Sequence, residues 1–328
     1  WLDIGYGVEN QLIGKRDTKQ LVPVPSETGD VDNPYQLTNA EQLAWFGYKV
    51  NEGGYNRCMQ MQTDMDLFGS EYTGVLYDSS KNNIEQALRW IPIGKNAQGV
   101  SNGNFGGVFD GAGHHVSNLY VNESTFVAGL IGTIPGGTIK DFGVESGKVV
   151  CSQNAAGGVV GSISLHGTAL RCWNKASVKG MNWAGGIIGA LSSARDRITV
   201  EGCYNSGNVT GGMWIGGIAG GAGDVKVGPT IRNCGNVGNV SGSIAGGIVN
   251  LFGLLEGGAW NTVSNCYNAG IITGTSQAGA IMYQKTGTIT NCYYDTTKTS
   301  NPGTDISTEE AKPLTTEQLQ SWAAAYAL

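Results

Sequence analysis

The sequence predicts an all-β fold, a parallel β-helix, and three observations carry that prediction. The first is a repeat. Cysteines at 172, 203, 234 and 266 stand 31, 31 and 32 residues apart, and Cys292 follows after 26. The second is what each unit contains. An apolar residue lies three positions before each cysteine (Ala169, Val200, Ile231, Val263, Ile289), and a β-branched residue lies six after the first four (Val178, Val209, Val240, Ile272). A glycine-and-aliphatic phrase follows, as in Gly185-Gly186-Ile187-Ile188 and Gly216-Gly217-Ile218-Ala219. The third is that no stretch between 100 and 300 holds a 3.6-residue period long enough for a helix. Glycine makes up 53 of 328 residues, about twice the usual ~7%. Short β-branched runs punctuated by Gly, Asn and Ser are strands and turns. About three short strands per ~30-residue unit, repeated in one direction, make one coil of a solenoid.

The elements follow in chain order. Residues 1–56 form an N-terminal segment with a capping helix at about 38–51. Thr38 stands three residues before Glu41 in a capping-box pattern, Leu43, Ala44, Phe46, Gly47 and Val50 follow at helical spacing, and Gly53-Gly54 end it. Residues 57–300 form the β-helix. It opens on "CMQMQTDMDLFG", where Met59, Met61, Met65 and Leu67 alternate onto one face. The N-terminal helix would cover the open end of the stack, which otherwise exposes unpaired backbone. Residues 301–328 form a C-terminal helical cap or linker. Thr315 or Thr316 would cap its helix, with Leu319, Trp322, Ala323 and Tyr326 as the apolar stripe.

Inside the repeat, the cysteine position is read as an interior packing column. "VSNLYV" (116–121) and "IKDFGV" (139–144) match the cysteine units and place Leu119 and Phe142 where the cysteine stands. Free cysteine behaves as a small buried hydrophobe. Disulfides are the alternative, but seven cysteines cannot all pair within one chain. Without a C-x-x-C pair and with three histidines, the sequence assigns no metal and no cofactor. Asn174, Asn205, Asn236 and Asn268 mark one corner. Asparagine tolerates the left-handed conformation, bonds its own backbone, and can stack into a side-chain ladder.

These units carry a family likeness. "WIPIG…FGGVFDGAGHHVSNLYV" (90–121), "AGLIGTIPGGTIKDFGVESGKV" (128–149) and the "CYNSGNVTG…GGIAG" units resemble the GLUG-motif repeat proteins. "NPYQLTNAEQLAWFGYKVN" and "CYYDTT" extend the likeness to roughly residues 33–320. These are large secreted or cell-wall-attached bacterial proteins, and similar repeats occur in the non-catalytic region of some IgA-protease-type metallopeptidases. The resemblance implies a right-handed helix, surface display, and an adhesin or spacer role without a catalytic site. The H-E-x-x-H helix of a metallopeptidase is not found around His114, His115 or His166. The sequence starts at Trp1 and stops at Leu328, and it reads as a piece of a longer secreted protein with further domains in the same polypeptide.

Composition narrows the partners. With 14% charged residues and a net charge of −6, the chain lacks the clustered Lys and Arg that nucleic acid or an anionic membrane demands. The sequence holds no run of about 18 apolar residues, so no membrane insertion is expected. The expected partner is a host or microbial glycan or protein surface, met outside the cell. Trp173, Tyr204, Tyr267 and Tyr293 each follow a cysteine, with Gly235 interrupting the row. If the cysteine points in, its neighbour points out, giving an external aromatic stripe suited to stacking on sugars or a protein. Trp183 and Trp214, just before the glycine phrase, form a second stacked pair. The bland alternative for both is shielding of a corner. For an enzyme acting on polysaccharide, the candidates are Asp64 and Asp66, two apart on one face, and Asp110 with His114 and His115 nearby. Hydrolysis needs two carboxyl groups at defined separation, but Asp110-Gly111 is also a turn dipeptide. The position after the repeat valine reads Lys179, Thr210, Ser241 and Thr273, too irregular for the threonine column of an ice-binding face. Three classes remain: a binding or adhesin module, a passive spacer, and a polysaccharide lyase or hydrolase.

Overall fold

A computed structural model of the chain describes residues 28–51, 53, 57–67, 90–94, 104–124, 127–192, 197–222, 225–251, 254–259 and 261–325. It is an all-β parallel solenoid with a short helix near each end. Every strand pairing among the described residues is parallel, and each strand meets its own copy one coil later, as in Thr168–Leu170 against Thr199–Glu201 and Thr230–Arg232. Two nine-stranded sheets run the length of the stack. The first starts at Tyr35–Leu37 and ends at Gly287–Thr290; the second starts at Met65–Asp66 and ends at Ala311–Leu314. A third sheet holds two ladders joined by the long strand Val240–Gly246, and a five-stranded fourth sheet closes the coil.

The three apolar stretches expected per coil are divided more finely. From Thr168 to Ser192 the chain forms five short strands: Thr168–Leu170, Trp173–Asn174, Ser177–Gly180, Trp183–Gly185 and Ile188–Ser192. The corner residues cut the stretches. The residue before the cysteine is left-handed in seven successive coils: Gly113, Asp141, Arg171, Gly202, Asn233, Asn265 and Asn291, with φ between 49° and 87°. The left-handed seat is therefore this column, and not Asn174, Asn205, Asn236 and Asn268 as the sequence suggested.

Those four asparagines do something else. All are fully buried. Asn174 Nδ2 donates to Asn205 Oδ1 at 3.0 Å, Asn205 Nδ2 to Asn236 Oδ1 at 2.8 Å, and Asn236 Nδ2 to Asn268 Oδ1 at 2.8 Å. Each Nδ2 also donates to the carbonyl two residues on, as Asn205 does to Gly207 O at 2.8 Å. The glycine phrase makes room for this ladder. A methyl group at Gly186 would lie 2.1 Å from Asn205 Cγ, and one at Gly217 would lie 2.4 Å from Asn236 Cγ.

The cysteine column is interior, as expected. Cys172, Cys203, Cys234, Cys266 and Cys292 are each at most 1% exposed, and all seven cysteines are free thiols. Phe142 occupies the same column one coil earlier, since Gly143 pairs with Trp173. Leu119 does not. His115 pairs with Gly143, so His114 takes the column position there, and Leu119 pairs with Gly147 in the third sheet. The left-handed turn at Asn118 sends the chain into the third sheet at once.

The ends also differ in detail from the sequence reading. A strand, Tyr35–Leu37, pairs with Met59–Met61 before the "CMQM" strand is reached, so the first helix (α1, Ala40–Asn51) is an excursion between two rungs. Asn39, one residue later than Thr38, caps α1: Gln42 N donates to Asn39 Oδ1 at 2.9 Å, while Gln42 Oε1 accepts from Thr38 N and Oγ1. Leu43, Ala44, Trp45, Phe46 and Val50 are buried against the stack. At the other end, Ala311–Leu314 adds a rung beyond residue 300 by pairing with Cys292–Asp295. The second helix (α2, Thr316–Ala325) is capped by Thr315, whose Oγ1 accepts from Gln318 N while Thr315 N donates to Gln318 Oε1. Leu319 is buried; the described side chains do not include Trp322 and Ala323, and Tyr326 and Gly54 lie outside the described residues. Among the described residues no helix is long and apolar enough to cross a membrane.

Candidate binding surfaces

The aromatic residues after the cysteines form one column in strict register along the second sheet: Trp173 pairs with Tyr204, Tyr204 with Gly235, Gly235 with Tyr267, and Tyr267 with Tyr293. The register extends backwards through Gly143 to His115, which sequence reading did not place there. The signal was the alignment of "HHV" with "FGV", hidden because the intervening member is a glycine. Tyr204 is the most open of the column's aromatics at 37%, and the other three are half-buried.

Two of the rings spread over the glycines of their own column. A methyl group at Gly143 would lie 2.0 Å from Trp173 Cε2, and one at Gly235 would lie 2.4 Å from Tyr267 Cε1. A side chain at either glycine would occupy the space of the neighbouring ring. The Trp173 ring also meets His115, with centroids 5.6 Å apart. Lys175 Nζ lies 5.2 Å from its centroid, within cation–π range, and pairs with Glu145 at 2.8 Å. Burial pushes the Tyr267 hydroxyl up to about 12, with the neighbouring Tyr204 adding to the effect. Burial likewise raises Tyr204, against the pull of Lys175.

Beside the column runs the left-handed corner, which carries polar links between coils. Asn291 Nδ2 donates to Asn265 Oδ1 at 2.8 Å, and Asn265 Nδ2 to Asn233 Oδ1 at 3.1 Å. Tyr293 Oη donates to Asn291 Oδ1 at 2.6 Å, tying the stripe to this row. Arg171 holds Asp141 through two bonds of 2.5 and 2.8 Å, and this guanidinium keeps the Asp141 carboxyl below its ordinary range.

The second tryptophan pair lies on the third sheet. Trp183 and Trp214 are register partners, with rings stacked at 6.0 Å and 17°. The Trp183 ring leans over Gly221, where a methyl group would lie 2.7 Å from Cδ1.

The acidic candidates are grouped differently from the sequence reading. His114 and His115 turn to Asp64, not to Asp110. Asp64 Oδ1 meets His114 Nδ1 at 3.2 Å and His115 Nδ1 at 3.1 Å, and accepts from His115 N at 3.1 Å. Desolvation pushes the Asp64 carboxyl up, but the bonds from His115 N–H and His114 outweigh it and leave the group below its ordinary value. Asp66 accepts from Asn118 Nδ2 at 3.0 Å. Asp110 pairs with Lys140 Nζ at 3.0 Å and accepts from Ala112 N at 2.8 Å, the side-chain bond of a turn. A general acid needs a carboxyl whose pKa is raised toward working pH, and Asp64 shifts the other way.

Comparison with known proteins adds the fold and no more. No family model matches the chain, and no curated protein matches it. Among solved structures, one described as a "putative immunoglobulin A1 protease" from Bacteroides ovatus is similar over 92% of this chain and 90% of that one, with a TM-score of 0.71 and 21% identity. At that identity the likeness establishes a shared parallel β-solenoid architecture along nearly the whole of both chains.

Proposed function

We propose that this chain is a non-catalytic binding module of a larger secreted or surface-displayed bacterial protein, taking a glycan or protein surface on its aromatic column. The observation that carries the reading is the in-register row Trp173, Tyr204, Tyr267 and Tyr293. Two of its rings are spread over glycines and one is open to solvent. Rings held this way lose little freedom when a partner stacks on them, so less of the contact energy is offset by ordering. The name carried by the Bacteroides ovatus neighbour is consistent with display outside the cell. The carboxylates argue against the hydrolase reading, since Asp110 is committed to Lys140 and Asp64 to two imidazoles.

The test is a binding screen of the purified chain against immobilised glycans, mucins, immunoglobulins and matrix proteins, run beside a Trp173→Ala/Tyr204→Ala variant. Loss of two aromatic stacks at ~0.5–1.5 kcal/mol each is expected to weaken a hit by about tenfold. A hit that the variant leaves unchanged would remove the column from the site. A second reading, a passive spacer, is favoured by the same coverage of Gly143 and Gly235, because rings that shield backbone need no partner. Silence across the whole panel would select it.

A further inference from the structure

A groove of about 840 Å³ runs along the third sheet, on a different sheet from the aromatic column. One wall is the residue after the repeat valine. Lys179, Thr210, Ser241 and Thr273 stand in register, continued on the N-terminal side by Val150. The next residue in the coil forms the floor, and in three successive coils it is glycine: Gly180, Gly211 and Gly242. Met181, 54% exposed, and the hydroxyls of Ser243 and Thr275 lie along the opposite side. The row that is too irregular for an ice-binding face is thus one side of a trough, with hydroxyls on three successive rungs at Thr210, Ser241 and Thr273.

We propose that this groove binds a linear, largely uncharged polysaccharide chain laid parallel to the stack axis. Three features select that occupant. The hydroxyl rungs recur every ~4.8 Å, close to the advance of one pyranose unit in an extended 1,4-linked chain. Ser and Thr hydroxyls both donate and accept, which suits sugar hydroxyls whose donor and acceptor roles vary around the ring. The Met181 thioether offers a soft apolar contact to the C–H face of a sugar. Lys179 is the one charged side chain lining the groove, so a densely acidic chain would find too little counter-charge. An extended peptide fits less well. Its N–H and C=O groups would need partners, and the ladders on either side already use the backbone of the floor.

The experiment is calorimetric titration of the purified chain with β-1,4-linked oligomers of glucose, xylose, mannose and N-acetylglucosamine, of increasing length. Affinity for at least one series is expected to rise with each added unit up to about four, because the rungs from Val150 to Thr273 span ~19 Å at ~4.8 Å spacing, and then to level off. Ser241→Tyr and Thr273→Tyr, which fill the trough, should weaken that binding tenfold or more. Trp173→Ala/Tyr204→Ala is run beside them to separate the groove from the aromatic column. Thermal unfolding by circular dichroism checks that the variants fold, and Thr273, on an exposed position, decides the matter if Ser241→Tyr does not. The proposal is overturned if no series binds, or if binding survives both tyrosine substitutions. It is also overturned if the aromatic variant alone abolishes binding, an outcome that would support the column instead.

Discussion

Each thiol of the interior column has carbonyl oxygens within reach on two sides. Cys203 Sγ lies 3.5 Å from Glu201 O in its own coil and 3.7 Å from Ala169 O in the coil before, and the other four repeat the arrangement. Burial pushes the Cys172 and Cys234 thiols well up, which keeps them as weak donors. In the five cysteine coils the residue here is small and at most weakly polar. Cys203→Ala is expected to cost ~1–2 kcal/mol from lost volume, and Cys203→Asp at least ~3 kcal/mol from a buried charge without a partner. Equal melting temperatures for the two variants would put Cys203 in contact with water. The column was legible in the sequence because burial restricts residue type strongly at each repeat. The left-handed corner was not, because Gly, Asp, Arg and Asn all occupy it and no single residue type holds it across its seven members. On the surface, Tyr267 gives a pH signature. Its folded-state pKa is raised from the ordinary tyrosine value of 10.0 to about 12, so the neutral phenol is favoured in the fold. The stability it adds is fully present below pH ~10 and is lost as pH rises through about 12. Alkaline titration of tyrosinate absorbance should show a late-titrating component that disappears in Tyr267→Phe; its persistence in that variant would assign it elsewhere.

At the scale of the element, the asparagine ladder and the glycine phrase are one device. Asn205 accepts from Asn174 and Gly207 N, and donates to Asn236 and Gly207 O. Its carboxamide packs where a side chain at Gly186 would stand. Asn205→Ala strips partners from several buried polar groups at once, at ~1–3 kcal/mol for each group left unsatisfied. A loss of about 2–4 kcal/mol in urea denaturation is expected, and a loss below ~1 kcal/mol would show that water enters and replaces the amide. The ladder was anticipated because asparagine recurs at each coil. The shift of Leu119 into the third sheet was not, because a strand of three residues and a one-residue corner can slide along an apolar stretch without changing the alternation that sequence reading detects. The candidate sites were legible to the same degree. The aromatic column repeats a letter class and was found. The pairing of Asp64 with His114 and His115 joins residues 50 and 51 positions apart, and nothing local announces it.

For the whole molecule, the parallel pairing means that each coil rests on its two neighbours, and stability is close to a sum of coil and interface contributions. The same pairing sets how the chain answers force. Hydrogen bonds between coils lie along the stack axis, and the terminal strands Tyr35–Leu37 and Ala311–Leu314 sit at opposite ends of their sheets. Tension applied between the ends therefore loads the coils in series and opens them like a zipper, one at a time. Each 31-residue coil that peels away replaces ~4.8 Å of stack by a strand of ~100 Å contour length at ~3.3–3.6 Å per residue. Single-molecule pulling should show a sawtooth with that step; one cooperative rupture of the whole stack would contradict it. A tether built this way yields in instalments, lengthening under a tug while its remaining coils stay folded and keep whatever they hold.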